Sequence, residues 1–386
     1  MDCRRWESGE VYQEARIETG ELKIDRNREL DVVRCVANYM IVLLHAWAAF
    51  QYVKWDTVEF KAWTFVCSHL SWMAIPTFFL ISGYLLFQKF SFAAWPEKMW
   101  RRVKRLAVPY VIWNVVFVVF YLSLARIVPR LGARVASFGL DTFSGAFSKV
   151  LSLTVAPIDG PLWFLRVLFL LALASPLLFV FLRVGRGIPL LACSVLWCVG
   201  ESALGWREAL QLTCPAYALT CFLAGGVLAI NGRNLVESFA GKWRTWLSVG
   251  LLACVMSAGL SMCKMTNAAV VGVGTAMGSS IMVSLFSILQ APALIALVSR
   301  WNVERISANR TYQFLREMSF FAYAGHFLFC SMWLHTVAPL LNGYWMGKFT
   351  VLILIFVGLG VPTMAVVHWI AKRLCPRALK LFDGTL

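Results

Sequence analysis

Residues 31–51 read DVVRCVANYMIVLLHAWAAFQ, from Asp31 to Gln51. A helix of about 20 mostly apolar residues crosses a bilayer, and this run is long enough to do so. Its interior carries two ionisable side chains, Arg34 and His45. A charge at mid-bilayer costs at least about 2.5–3.5 kcal/mol, so each needs a reason. Eleven residues apart on a helix, they return to within about 20° of one another and stand about 16.5 Å apart along the axis. Arg34 therefore lies near one membrane surface and His45 deep on the same face. Such a column suits an elongated anionic ligand that enters beside Arg34. Read as packing alone, Arg34 snorkels to lipid phosphate and His45 makes a structural hydrogen bond.

Working outward, nine further apolar stretches match the first, at about 62–87, 106–127, 161–182, 188–204, 213–231, 247–263, 279–298, 319–340 and 349–371. They are continuously apolar rather than alternating, which predicts helices and not a barrel. The composition agrees: 60% of the 386 residues are hydrophobic, only 15% are charged, and the mean hydropathy is +0.70. A soluble domain is about 45–50% apolar and about 25% charged, so no single water-soluble core can hide this surplus. Soluble enzyme, coiled coil, disordered chain and secreted disulfide scaffold are all excluded. The fold expected is an all-α, polytopic membrane bundle of about ten transmembrane helices. Its domains are a polar tail over 1–30, a membrane domain over 31–371 and a tail over 372–386.

The net charge of +16 raises the question of nucleic acid, and placement answers it. With the N-terminus in the cytoplasm, the inner segments hold 25 of the 36 Lys and Arg and the outer segments eight. That bias follows the positive-inside rule, places both termini in the cytoplasm and leaves no nucleic-acid partner to invoke. The polar first 30 residues show no cleavable signal, so the first apolar run acts as an uncleaved anchor. The 11 cysteines sit mostly alone in apolar runs, read as small buried hydrophobes, and predict no metal centre.

Other residues have a functional and a bland reading. Ser82-Gly83, late in the second run, permits close helix approach, and packing alone explains the pair. Arg102 and Arg105, three apart, share a face if helical and could grip phosphates bidentately, although a topology signal is the commoner cause of such clusters. Arg166, just after Trp163, lies near an outer helix end and could meet an anionic acceptor or a lipid headgroup. Tyr323 and His326 share a face and suit a mutual or interhelical hydrogen bond. His69 lies at a depth similar to His45 and could orient it.

In this order these residues resemble the membrane-bound acyltransferase family 3. Its members are multi-span proteins that move acetyl or other short acyl groups from cytoplasmic acyl-CoA onto extracytoplasmic sugars. The resemblance rests on Leu30-Asp31 leading to Arg34 and His45, and on Phe78-Phe79-Leu80-Ile81-Ser82-Gly83-Tyr84. It continues through Arg102 and Arg105 followed by Pro109-Tyr110, Leu162-Trp163-Phe164-Leu165, and the late Tyr323 and His326. Between 185 and 315 the likeness is little more than hydropathy, and the long polar N-terminus departs from the family pattern. The resemblance implies a catalytic His45 with Arg34 orienting or binding the donor. Arg102, Arg105, Ser82 and Gly83 would bind acyl-CoA, acetyl-CoA in the first instance, and no metal is needed. His69, Trp163, Arg166, Tyr323 and His326 would serve the acceptor or support the site. The partners implied are acetyl-CoA, a surface or lipid-linked glycan and membrane lipids, in a bacterial inner membrane. His45 could act as general base or take the acyl group itself. The competing reading is a transporter or flippase of a lipid-linked sugar, which buried Arg and His fit equally well but which lacks the internal repeat common in such proteins.

Overall fold

The computed structural model describes residues 28–53, 57–127, 139–140, 142–152, 157–204, 214–266, 273–341, 343 and 345–385. The expected N-terminal tail falls outside them as far as residue 27, as do residues 128–138, 141 and 153–156 of the outer loop expected over 128–160. The described residues are overwhelmingly helical and contain no strand.

Six helices are long and apolar enough to cross a membrane by length and composition: Arg28–Ala49, Val58–Phe87, Trp95–Arg126, Ser175–Glu201, Trp243–Ser261 and Lys348–Leu374. That is fewer than the ten expected. Gly160–Leu173, Ala216–Ile230 and Ser284–Val298 are apolar but shorter. The runs expected over 161–182 and 188–204 are divided differently. Trp163–Leu173 and Ser175–Arg183 are separated only at Ala174, and backbone bonds from Ala174 to Leu170 and from Leu178 to Ala174 carry the chain across. Gly185 and Arg186 then adopt left-handed φ of 54° and 58°. The stretch Ser175–Glu201 is therefore two helices meeting at a turn, not one rod, because consecutive left-handed residues cannot continue a right-handed helix.

The Arg34 helix, Arg28–Leu44, packs against the Ser82 helix, Ala74–Phe87, and against Ser319–Val337. It continues as a tighter 3-10 turn over His45–Tyr52. The Ser82 helix in turn makes its closest approach to Ala216–Ile230. Glycines make that approach possible. A Cβ on Gly83 would stand 1.9 Å from the Phe222 carbonyl oxygen, and one on Gly225 would stand 2.0 Å from that of Leu80. Small residues are how membrane helices gain close contact without a hydrophobic drive between them.

Elsewhere, the Glu59 carboxylate accepts hydrogen bonds from the backbone N–H groups of Gly347 and Thr350 at 3.1 and 2.7 Å, capping the start of Lys348–Leu374. A negative charge at a helix N-terminus satisfies donors that the helix itself cannot. Within the segment expected as a C-terminal tail, Pro376–Asp383 is a helix whose Phe382 carbonyl accepts from the Trp113 indole at 3.2 Å. Leu196, Leu252, Leu354 and Val366 point outward and are more than half exposed. An apolar exterior of this kind is the surface a membrane domain offers to lipid.

Candidate functional site

A cavity of about 330 Å³ opens between the Arg34 helix, the Ser82 helix, Trp163–Leu173 and Ser319–Val337. Arg34, Asn38 and Ile41 line it from one helix face, at the intervals of four and three that a helix brings together. His45 is next on that face, and its Nδ1–H donates to the Ile41 carbonyl at 2.9 Å. Arg34 is exposed at the mouth, with Arg316 and the carboxylates of Asp31, Glu317 and Asp383 around it. The mouth is thus mixed in sign rather than uniformly basic.

The deep end of this face is a pair of imidazoles. The rings of His45 and His326 lie with centroids 4.8 Å apart at an angle of 56°, and Phe327 presents its edge to His45 at 6.2 Å. His326 donates its own Nδ1–H to the Tyr323 carbonyl at 2.6 Å. A carbonyl can only accept, so in both neutral rings the proton sits on Nδ1 and Nε2 carries the lone pair. The Nε2 of His326 has no hydrogen-bond partner among the described residues, and that side chain is wholly buried. His45 is half-buried as a residue. An imidazole fixed in one tautomer by its own helix, with the other nitrogen bare, is equipped to take a proton or to attack an electrophile.

Tyr323 lines the same cavity and donates its hydroxyl to the Pro161 carbonyl at 2.5 Å. That bond ties the late helix to the turn before Trp163. Ser82 lines the cavity as well, whereas Gly83 faces away into the contact with Ala216–Ile230 and is a packing residue. Neighbours on a helix point about 100° apart, which the dipeptide pattern alone does not resolve.

Arg102 and Arg105 do not line one cavity together. A π-helical turn over Val103–Ala107 intervenes, and its i→i+5 pattern shifts the helix register that would have placed them on one face. Arg102 is half-buried and lines a second cavity of about 260 Å³ with Lys89 and Lys98, while Arg105 is exposed and lines neither cavity. The linings of the two cavities succeed one another along the same two helices. Ser82 in the first is succeeded by Leu85, Leu86 and Lys89 in the second, and Leu168 by Ala172 and Ser175 on the facing side. A chain-like ligand with an anionic head could lie from Arg102 toward His45.

The remaining expected residues stand elsewhere. His69 is buried with its Nδ1 3.1 Å from the Ser257 hydroxyl, a partner on Trp243–Thr266, so its hydrogen bond does not go to His45. Trp163 packs on Phe79 with centroids 6.3 Å apart and lines neither cavity; its neighbour Phe164 takes that position. Arg166 donates to the Ser152 carbonyl in a polar cluster with Tyr110, whose hydroxyl meets that of Ser152, and Asn114, which accepts from the Asp159 N–H at 3.2 Å. Asn38, Arg316 and Asp383 belong to the cavity and were not singled out by the sequence. Asn38 had a detectable signal, a polar side chain one turn beyond Arg34 in an apolar run. Asp383 had none, because only the folding back of Pro376–Asp383 delivers it.

One family model, described as an acyltransferase domain, matches residues 27–372, nearly the whole chain. No curated protein and no solved structure matches the chain.

Proposed function

The chain belongs to this acyltransferase domain family, and from that premise we propose an integral membrane O-acyltransferase of the bacterial inner membrane. It carries an acyl group, acetyl in the first instance, from cytoplasmic acyl-CoA to a hydroxyl of an extracytoplasmic or lipid-linked carbohydrate. The bias of Lys and Arg puts the Arg34 end of the bundle in the cytoplasm, with ten spans and both termini inside.

One observation carries the reading: His45, whose Nδ1–H is held by the Ile41 carbonyl so that Nε2 carries the lone pair, closes the helix face whose other end is Arg34 and whose middle lines a cavity. The donor's phosphates lie at Arg102 and its arm follows the two lining helices inward. A sugar hydroxyl is a poor nucleophile until its proton is removed, and neutral imidazole is suited to remove it near pH 7. The hydroxyl oxygen forms a bond to the thioester carbon as its proton passes to His45 Nε2. The C–S bond then breaks, and the thiolate leaves with that proton. His326 offers a second acceptor for the same proton beside the first.

Membrane vesicles given radiolabelled acetyl-CoA are the test, with label in glycan as the readout. His45→Ala should lower transfer about 10²- to 10⁴-fold while inserting normally. Transfer undiminished in that variant removes His45 from the chemistry. Label that stays on the protein in the absence of acceptor, and is lost in His45→Ala, would replace the base route by a covalent one.

A further inference from the structure

Among the cavity-lining side chains, Asn38 has chemistry that the proposed function does not yet use. It is 5% exposed, it lies between Arg34 and His45 on the cavity face, and its Nδ2 has no hydrogen-bond partner among the described residues. A buried amide left unpaired costs enough that it ordinarily finds a partner. Its neighbours on the lining are apolar at Ile41, Phe78 and Phe164. A ligand lying in this part of the cavity meets a hydrogen-bond donor beside apolar side chains, a setting that suits a carbonyl on an otherwise apolar chain.

We propose that Asn38 binds the second amide of the donor's pantetheine arm, and so selects acyl donors that carry the complete arm. The assignment rests on the acyl-CoA reading above. Its geometry is a matter of spacing. Asn38 precedes His45 by seven residues, about 10.5 Å of helix rise. With ordinary covalent bond lengths, an extended arm puts its second amide carbonyl about 11 Å from the thioester carbon. A thioester at His45 thus brings that amide level with Asn38. The first amide, about 6.5 Å from the thioester carbon on the same bond lengths, falls beside Ile41, which offers no side-chain partner. A carboxamide carries both a donor and an acceptor, the complement of a secondary amide's C=O and N–H.

The experiment compares three acetyl thioesters as donors for the full-length protein in native-lipid vesicles, read by thiol release. Acetyl-CoA and acetyl-pantetheine carry both amides, and acetyl-N-acetylcysteamine carries only the first. Asn38→Ala should raise KM for the first two about tenfold and leave the third unchanged, with kcat unaffected in all. Asn38→Leu keeps the side-chain volume without the hydrogen bond, and should repeat the pattern if the smaller residue harms folding. An equal rise for all three donors, or none for acetyl-pantetheine, overturns the assignment while the acyltransferase reading stands. A wild-type protein that consumes none of the three overturns both.

Discussion

Gly83→Ala is the sharpest test of how the site is held together, because the family resemblance implied donor binding for this glycine and the structure places it in a helix–helix contact. The added Cβ would meet the Phe222 carbonyl oxygen at 1.9 Å and its carbon at 2.7 Å, both backbone atoms that no rotamer change can move. To reach an ordinary contact the two helices must part by over 1 Å, and Gly225 on the partner helix has the reciprocal constraint against Leu80 and Tyr84. Overpacking costs about 1–3 kcal/mol, and a backbone obstacle puts this case near the upper end. The assay is thermal unfolding of the purified protein in detergent, followed by size-exclusion profile, with donor KM measured on the folded fraction. Gly83→Ala and Gly225→Ala should each destabilise by about 2–3 kcal/mol, and the pair by less than the sum, since the first separation accommodates the second. Gly358→Ala is the control: nothing stands within 4 Å of its Cβ, and alanine favours a helix. If Gly83→Ala melts like Gly358→Ala but raises donor KM, the packing assignment is wrong and the donor-binding one returns.

Two further outcomes follow from the geometry. Arg102→Gln should raise KM for acetyl-CoA about tenfold or more in low salt, with a smaller effect at high salt and none for acetyl-pantetheine, which lacks the phosphates. Arg105→Gln should leave all of these unchanged, and a matching loss there would restore the two arginines to one grip. Asp159 is wholly buried, with both carboxyl oxygens lacking a hydrogen-bond partner among the described residues, and burial pushes its pKa well above the ordinary 3.8. The folded protein then keeps a proton that the unfolded chain releases. Its contribution to stability is complete below 3.8, falls as pH rises through the interval up to the raised value, and stays lower above it. Asp159→Asn should flatten that decline and melt higher than wild type at neutral pH. Parallel melting curves for the two from pH 4 to 7 would refute it.

Composition and run length by themselves determined a helical membrane protein, because an apolar surplus of this size has no other place to go. The 3.6-residue period also put Arg34 and His45 on one face, since that depends only on an unbroken helix between them, and the structure keeps one through Leu44. Where the helix was not ideal, the sequence could not supply the answer. The wider turn at Val103–Ala107 shifted the register between Arg102 and Arg105, and only Arg102 lines a cavity. Contacts between distant segments were beyond it altogether. That His326 meets His45, that His69 turns to Ser257, and that Asp383 returns to the mouth of the cavity are decided by which helices lie side by side. A side chain's own period fixes the direction it points, whereas its partner is fixed by packing across the whole bundle.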